Sequence, residues 1–97
     1  MPGYIQVYKY TQKGLANIKG ASERAKQTQG ALAKLGVRTI GLWWTLGEYD
    51  GIGVFEAPDD QAIAAASLAM ASQRIITIQT LRAFGEEEFA KVVGKLP

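Results

Sequence analysis

The stretch LWWTLGEYDGIGVFEAPDD, residues 42–60, carries the signals that decide the fold. Two apolar segments, residues 37–46 and 51–57, flank the turn Gly47-Glu48-Tyr49-Asp50, and both are rich in residues that favour strands. Glycine and aspartate between such segments are typical of a chain reversal, so the stretch predicts a β-hairpin. Pro58-Asp59-Asp60 then predicts the start of a helix, because carboxylates are favoured at the positive end of the helix dipole.

The segments on either side of the hairpin extend the pattern to a βαββαβ order. Residues 4–10 alternate in period two and predict the first strand, while residues 74–84 predict the fourth. Helical segments are predicted from Thr11 to Gly20, from Ser22 to Leu35, from residues 58–60 to Ser72, and over residues 86–96. This order predicts one domain, residues 1–97, with a ferredoxin-like α+β sandwich: a four-stranded antiparallel sheet, helices on one face and a C-terminal helix.

The helices leave the other face of the predicted sheet uncovered. The alternation assigns these residues to it: Tyr4, Gln6, Tyr8, Tyr10, Thr39, Trp43, Thr45, Phe55, Ile75, Thr77 and Leu81. Trp43 and Trp44 must point to opposite faces, but the alternation does not decide which face each one takes. This aromatic patch is larger than the apolar patches that a soluble monomer normally exposes. We therefore expect the sheets of two subunits to pack together in a homodimer or a higher homo-oligomer.

The composition argues against several kinds of function. The chain has no cysteine and no histidine, which removes disulfides, histidine-containing triads and the usual zinc and haem ligands. The net charge is only +2 and the basic residues are scattered, so we expect no nucleic-acid partner. RNA-recognition modules share the element order, but Ile52 and Val54 stand where they have stacking aromatics. The longest nearly apolar run, residues 62–71, is too short to span a bilayer, and the start lacks a signal-peptide profile. We therefore expect no membrane partner and a cytoplasmic location.

The residues LGEYDGIGVFEAPDD, 46–60, resemble the signature of the GYD domain family. In that signature a Gly-x-Tyr-Asp turn precedes an apolar strand that ends in Glu-Ala-Pro-Asp-Asp. Further similarities are the opening Tyr-Ile strand, Thr11 and Gly14 at the first helix, and TLRAF…EEF within residues 80–89. The resemblance implies a dimeric α/β-barrel fold, but the family is largely uncharacterised and supplies no assigned activity.

This chain departs from the family pattern at Gly51 and Gly53, where bulkier apolar residues are expected, and at Gly85, where a threonine cap is usual. Two glycines in one strand open space beside it, and here that space adjoins the two tryptophans. We therefore expect a small-molecule cavity between the sheet and the helices, with no cofactor and no metal. The candidate ligand-binding residues are Tyr8, Trp43, Trp44, Glu48, Tyr49, Asp50 and Arg82.

Two questions about this site stay open at the level of sequence. Glu48 and Asp50 lie two positions apart, so they could form a carboxylate pair, or they could belong to a purely structural turn. Related dimeric α/β-barrel proteins include cofactor-independent monooxygenases and isomerases as well as binding proteins. The alternative to a binding protein is therefore a cofactor-independent enzyme acting on a small aromatic substrate, with Arg82 or Arg74 as counter-charge.

Overall fold

The computed structural model describes all residues, 1–97. Its elements, in chain order, are β1 (Gly3–Tyr10), α1 (Gln12–Ala16), a 3-10 turn (Ile18–Gly20), α2 (Ala21–Lys34), β2 (Arg38–Trp44), β3 (Gly51–Glu56), α3 (Asp60–Ala71), β4 (Ile76–Ala83) and α4 (Glu86–Val93). The four strands form one antiparallel sheet in the order β2-β3-β1-β4. The predicted ferredoxin-like α+β fold with a C-terminal helix is confirmed.

Side-chain caps fix the starts of two helices. The Thr11 hydroxyl accepts the Gly14 N–H at 3.1 Å before α1, and the Asp59 carboxylate accepts the Ala62 N–H at 2.9 Å before α3. The start of α2 differs slightly from the predicted start at Ser22. The 3-10 turn leads the backbone straight into helical geometry at Ala21, so Ser22 already lies inside the helix.

The core lies between the helices and the face of the sheet that carries the tyrosines. Tyr4 is only 2% exposed and Gln6 is 0% exposed, and both contact α3. The prediction that these residues lie on the uncovered face is wrong, and it is wrong for Tyr8, Tyr10, Thr39 and Phe55 as well, which share that face by register. The physical reason is that α3 supplies partners for the polar tips: the Tyr4 hydroxyl donates to Asp60 at 2.5 Å, and the Gln6 amide donates to Ser67 at 2.8 Å.

The uncovered face of the sheet is mainly aliphatic at its centre, with one tryptophan, and the register also places Lys9, Thr77 and Gln79 on it. We call it the open face, and define it by Ile5, Val7, Trp43, Ile52, Val54 and Leu81, which the strand register places on one side. Trp43 pairs with Ile52, whereas Trp44 pairs with Gly51 on the opposite, helix-covered side. The extents of the chain, 52 × 31 × 19 Å, agree with this arrangement, because 19 Å holds about one sheet layer and one helix layer.

Helix α4 projects from the rest of the fold. Its apolar side carries Phe89, Val92 and Val93, which are exposed. Leu96, which follows the helix, is exposed as well. An ion pair between Arg82 and Glu88 at 3.0 Å ties the start of α4 to β4. No helix of the chain is both long and apolar enough to cross a membrane.

Replacing Gly30 with alanine is expected to raise the free energy of unfolding by about 0.5–1 kcal/mol. Gly30 lies inside α2, is exposed, and a Cβ atom at this position would meet no other atom within 4 Å. The substitution therefore adds helix propensity without a clash. Urea denaturation of the two proteins measures the difference. A loss of stability would mean that this face of α2 packs against another molecule.

Candidate functional site

A cavity of about 100 Å³ lies between α2 and the sheet, beside the two tryptophans. Its sheet side is formed mainly by Tyr8, Leu42 and Phe55, and its helix side by Ala25 and Leu32. The other lining residues are Tyr10, Ala21, Arg24, Thr28, Gln29, Thr39, Trp43, Trp44, Asp50, Gly51, Met70, Gln73, Ile75 and Ile76. The walls are therefore mostly apolar, with a few polar groups, as is usual for small-molecule sites.

Two buried polar atoms in this lining have no partner in the chain. Nη1 of Arg24 donates to the carbonyl oxygen of Asn17 at 3.1 Å, but Nη2 is buried and makes no hydrogen bond. The hydroxyl of Thr39 on β2 is also buried and unpaired. Such atoms are uncommon in folded proteins because leaving them unpaired costs free energy. Arg24 and Thr39 both line the same cavity.

The tyrosine hydroxyls under the helices are held in fixed hydrogen bonds. Tyr8 donates to Oε1 of Gln6 at 2.7 Å, and burial raises the pKa of Tyr8. The hydrogen bond to Asp60, together with burial, raises the pKa of Tyr4 to about 12. Both phenols are therefore neutral near pH 7. Tyr8 forms a rigid part of the cavity wall and is not available as a base.

The turn at residues 47–50 is held by backbone contacts. Oδ2 of Asp50 accepts the Tyr10 N–H at 2.8 Å, and the Asp50 N–H donates to the Tyr8 carbonyl at the same distance. Glu48 instead forms an exposed ion pair with Lys9 at 3.7 Å. The two carboxylates thus have different partners, which favours the structural turn over a carboxylate pair. No group of three or more carboxylate, histidine or cysteine side chains is placed to hold a metal ion.

Gly53 lies outside the cavity lining, and Gly51 lines the cavity but is itself closely packed. A Cβ atom at Gly53 would lie 2.6 Å from the Phe55 ring and 2.8 Å from the Tyr8 hydroxyl. At Gly51 it would lie 3.2 Å from the Trp43 carbonyl oxygen. The two glycines therefore accommodate neighbouring side chains and backbone. The cavity itself lies between these rings and α2.

The structure brings together four of the seven candidate ligand-binding residues. Tyr8, Trp44 and Asp50 line the cavity together with Trp43, which borders it although the register places its side chain on the open face. Nε1 of Trp44 donates to the Tyr10 hydroxyl at 2.8 Å.

The other three candidates lie outside the lining. Glu48 and Tyr49 belong to the turn, where Tyr49 has the Lys9 ammonium 5.3 Å from its ring centre. Arg82 lies on β4 opposite Tyr4, with its guanidinium 4.5 Å from the ring centre of Phe84.

Arg24 and Thr39 line the cavity but were not among the candidate residues identified from the sequence. A signal for Arg24 was present, because Arg24, Thr28 and Leu32 follow one another at four-residue spacing on one side of α2. A charged residue on the same side of a helix as a buried leucine can point its side chain toward the core. No comparable signal existed for Thr39, since threonine is common on half-buried strands.

Comparison with known proteins gives one family and one named relative. The family model described as GYD domain matches residues 4–93. A protein of Thermus thermophilus, named glutamine synthetase and cystathionine beta-lyase binding protein, is 33% identical over 84 residues. The similarity covers 86% of this chain and 88% of the relative. No solved structure shows significant similarity to the chain.

Proposed function

This chain belongs to the GYD domain family, and we propose that it is a small homo-oligomeric binding protein that engages a metabolic enzyme and holds a small molecule in its interior cavity. The observation that carries the proposal is the presence of two uncovered apolar surfaces on so small a domain. One is the open face of the sheet, and the other is the apolar side of α4 (Glu86–Val93). Contiguous apolar surface of this kind marks protein contacts.

The open face is assigned to a second copy of the chain. The Arg38–Glu56 ion pair at 3.2 Å lies at one end of it, so opposite charges lie beside an apolar centre. Two-fold pairing of one surface with itself is the commonest way in which soluble proteins form oligomers. A sheet-to-sheet homodimer, the association expected of a dimeric α/β barrel, follows from this assignment.

The apolar side of α4 is assigned to a protein partner. Phe89 is 56% exposed, and no part of the same chain covers the helix. An amphipathic helix that projects in this way fits the groove of a partner through residues spaced three and four apart. The name of the Thermus relative makes glutamine synthetase and cystathionine beta-lyase the first enzymes to test. The proposal includes a cytoplasmic location.

The cavity is assigned to a small molecule, with Tyr8, Trp43, Trp44 and Asp50 in its lining. Glu48, Tyr49 and Arg82 lie outside that lining and belong to the proposal only as supports of the surrounding fold.

A cofactor-independent enzyme of the monooxygenase or isomerase type, acting on a small aromatic substrate, is the second candidate. It is favoured by the aromatic rings and the single guanidinium in the cavity lining. The potential acid–base groups of the cavity are the Tyr8 hydroxyl and the Asp50 carboxylate. Each is already engaged in a hydrogen bond within the chain, which favours a binding protein over an enzyme.

The partner assignment predicts that Phe89→Ser weakens binding to glutamine synthetase or cystathionine beta-lyase from the same organism by about tenfold or more. Surface plasmon resonance with the immobilised enzyme measures this change. Lys91→Ser is the matched control, because Lys91 lies on the other side of α4 and its loss should leave the affinity within about twofold. Absence of binding to both enzymes, or equal losses from both variants, would contradict the assignment to α4.

A further inference from the structure

We propose that the cavity between α2 and the sheet selects a small monocarboxylate with a short apolar chain, whose carboxylate is held by Arg24 and Thr39. The inference rests on the proposed small-molecule function of this cavity and names the class of ligand. It is carried by two residues of a mostly apolar lining, Arg24 and Thr39, each of which has a buried polar atom without a partner.

Arg24 supplies the positive charge and is already oriented. Its Nη1 atom is fixed by the Asn17 carbonyl at 3.1 Å, which leaves Nη2 buried and without an acceptor. A buried cationic donor that lacks a partner is costly, and an anionic acceptor relieves that cost most effectively. Asp50 is the one carboxylate in the lining, and its Oδ2 is engaged with the Tyr10 N–H. Arg24 forms no ion pair within the chain.

Thr39 supplies a second hydrogen bond from the sheet side of the same cavity. Its hydroxyl is buried and unpaired, and it can donate to a carboxylate oxygen. The helix-borne guanidinium and the strand-borne hydroxyl together favour a ligand that bridges α2 and β2. A carboxylate has two acceptor oxygens and therefore satisfies both groups at once.

The size and polarity of the cavity define the rest of the ligand. Its volume is about 100 Å³, and its remaining surface is mainly apolar, with Leu32, Leu42, Phe55 and Met70 among the lining residues. An apolar cavity of about 150 Å³ accommodates the six carbons of benzene, so a volume of about 100 Å³ fits an apolar group of about four carbons, such as the isobutyl group of isovalerate. Phosphorylated metabolites and nucleotides are too large and too highly charged for such walls.

Isothermal titration calorimetry of the full chain with isovalerate tests the inference, with isovaleramide as the neutral probe of the same shape. We expect isovalerate to bind at least about tenfold more tightly than isovaleramide, since only the former carries the charge that Arg24 recognises. Arg24→Gln should weaken isovalerate binding by about tenfold or more, and Thr39→Val by about threefold to tenfold. Lys26→Gln removes the same charge from an exposed position of α2 and should leave the affinity unchanged.

The outcomes separate the ligand class from the function of the cavity. Equal binding of isovalerate and isovaleramide, both lost on filling the cavity with Ala25→Leu, would overturn the carboxylate inference and leave a small-molecule cavity. Absence of binding for both probes would overturn the inference and count against the cavity function as well. Equal losses from Arg24→Gln and Lys26→Gln would point to general charge and overturn the role of Arg24. The comparison of the two probes on the unmodified chain holds even where a variant fails to fold.

Discussion

The Trp43→Ala variant is expected to lose self-association while it keeps its fold. Trp43 is 54% exposed at the rim of the open face, where it pairs with Ile52 and its ring covers Gly41. Removing an aromatic anchor from a protein interface commonly costs about 2 kcal/mol or more, so the dimer dissociation constant should rise by about 30-fold or more. Light scattering over a range of concentrations measures the change. The unmodified chain should have twice the mass of 10.5 kDa.

Trp44→Ala is the matched control for this experiment. Trp44 is equally large and 50% exposed, but it lies on the helix-covered side and donates to the Tyr10 hydroxyl. Its removal should lower the thermal stability and leave the dimer dissociation constant within about threefold. A monomeric unmodified chain at micromolar concentration would refute the association through the open face. Equal effects of the two variants on association would show that Trp43 is not the anchor.

The Gly53→Ala variant is expected to destabilise the fold strongly. The added methyl group would lie 2.6 Å from the Phe55 ring and 2.8 Å from the Tyr8 hydroxyl, both of which are buried. Tyr8 also donates to Gln6, so its ring cannot move away without breaking that hydrogen bond. Overpacking of this kind costs about 2–3 kcal/mol, which for a chain of this length lowers Tm by roughly 10–20 °C. Differential scanning calorimetry gives the value.

Two other glycine-to-alanine changes serve as controls for Gly53. At Gly51 the nearest atoms are 3.2 and 3.4 Å away, so the expected loss is smaller, about 1 kcal/mol or less. Gly30 meets nothing within 4 Å, and its replacement should stabilise the chain. A Gly53→Ala protein that melts at the temperature of the unmodified chain would mean that Tyr8 and Phe55 are free to rearrange.

The order of the elements could be predicted from the sequence because each signal for it is local. Alternation marks β1, the hairpin separates β2 from β3, and Asp59 with Asp60 marks the start of α3. The orientation of the sheet could not be predicted in the same way. Tyr4 and Gln6 look like residues for an exposed face because their tips are polar, and only the distant side chains of Asp60 and Ser67 make their burial favourable.

The candidate site was only partly predictable for the same reason. Tyr8, Trp43, Trp44 and Asp50, which line the cavity, became candidates because they belong to conspicuous local patterns. Arg24 was missed because its importance depends on the absence of a partner, which is a property of the folded chain. The sequence also contained no signal for the proposed enzyme partner, since the apolar side of α4 is typical of a helix that packs on its own sheet.

The proposed pairing through the open face would make the amount of this protein in the cell a determinant of its own stability. A domain that covers its sheet only by pairing with a second copy gains stability by mass action, so its Tm rises with protein concentration. With such pairing, the monomer would predominate at low expression, and its strand aliphatics and Trp43 would then face water. Chaperones and proteases recognise such exposure. Cells that make little of the protein would therefore also lose it faster, which turns a gradual change in synthesis into a steeper change in abundance.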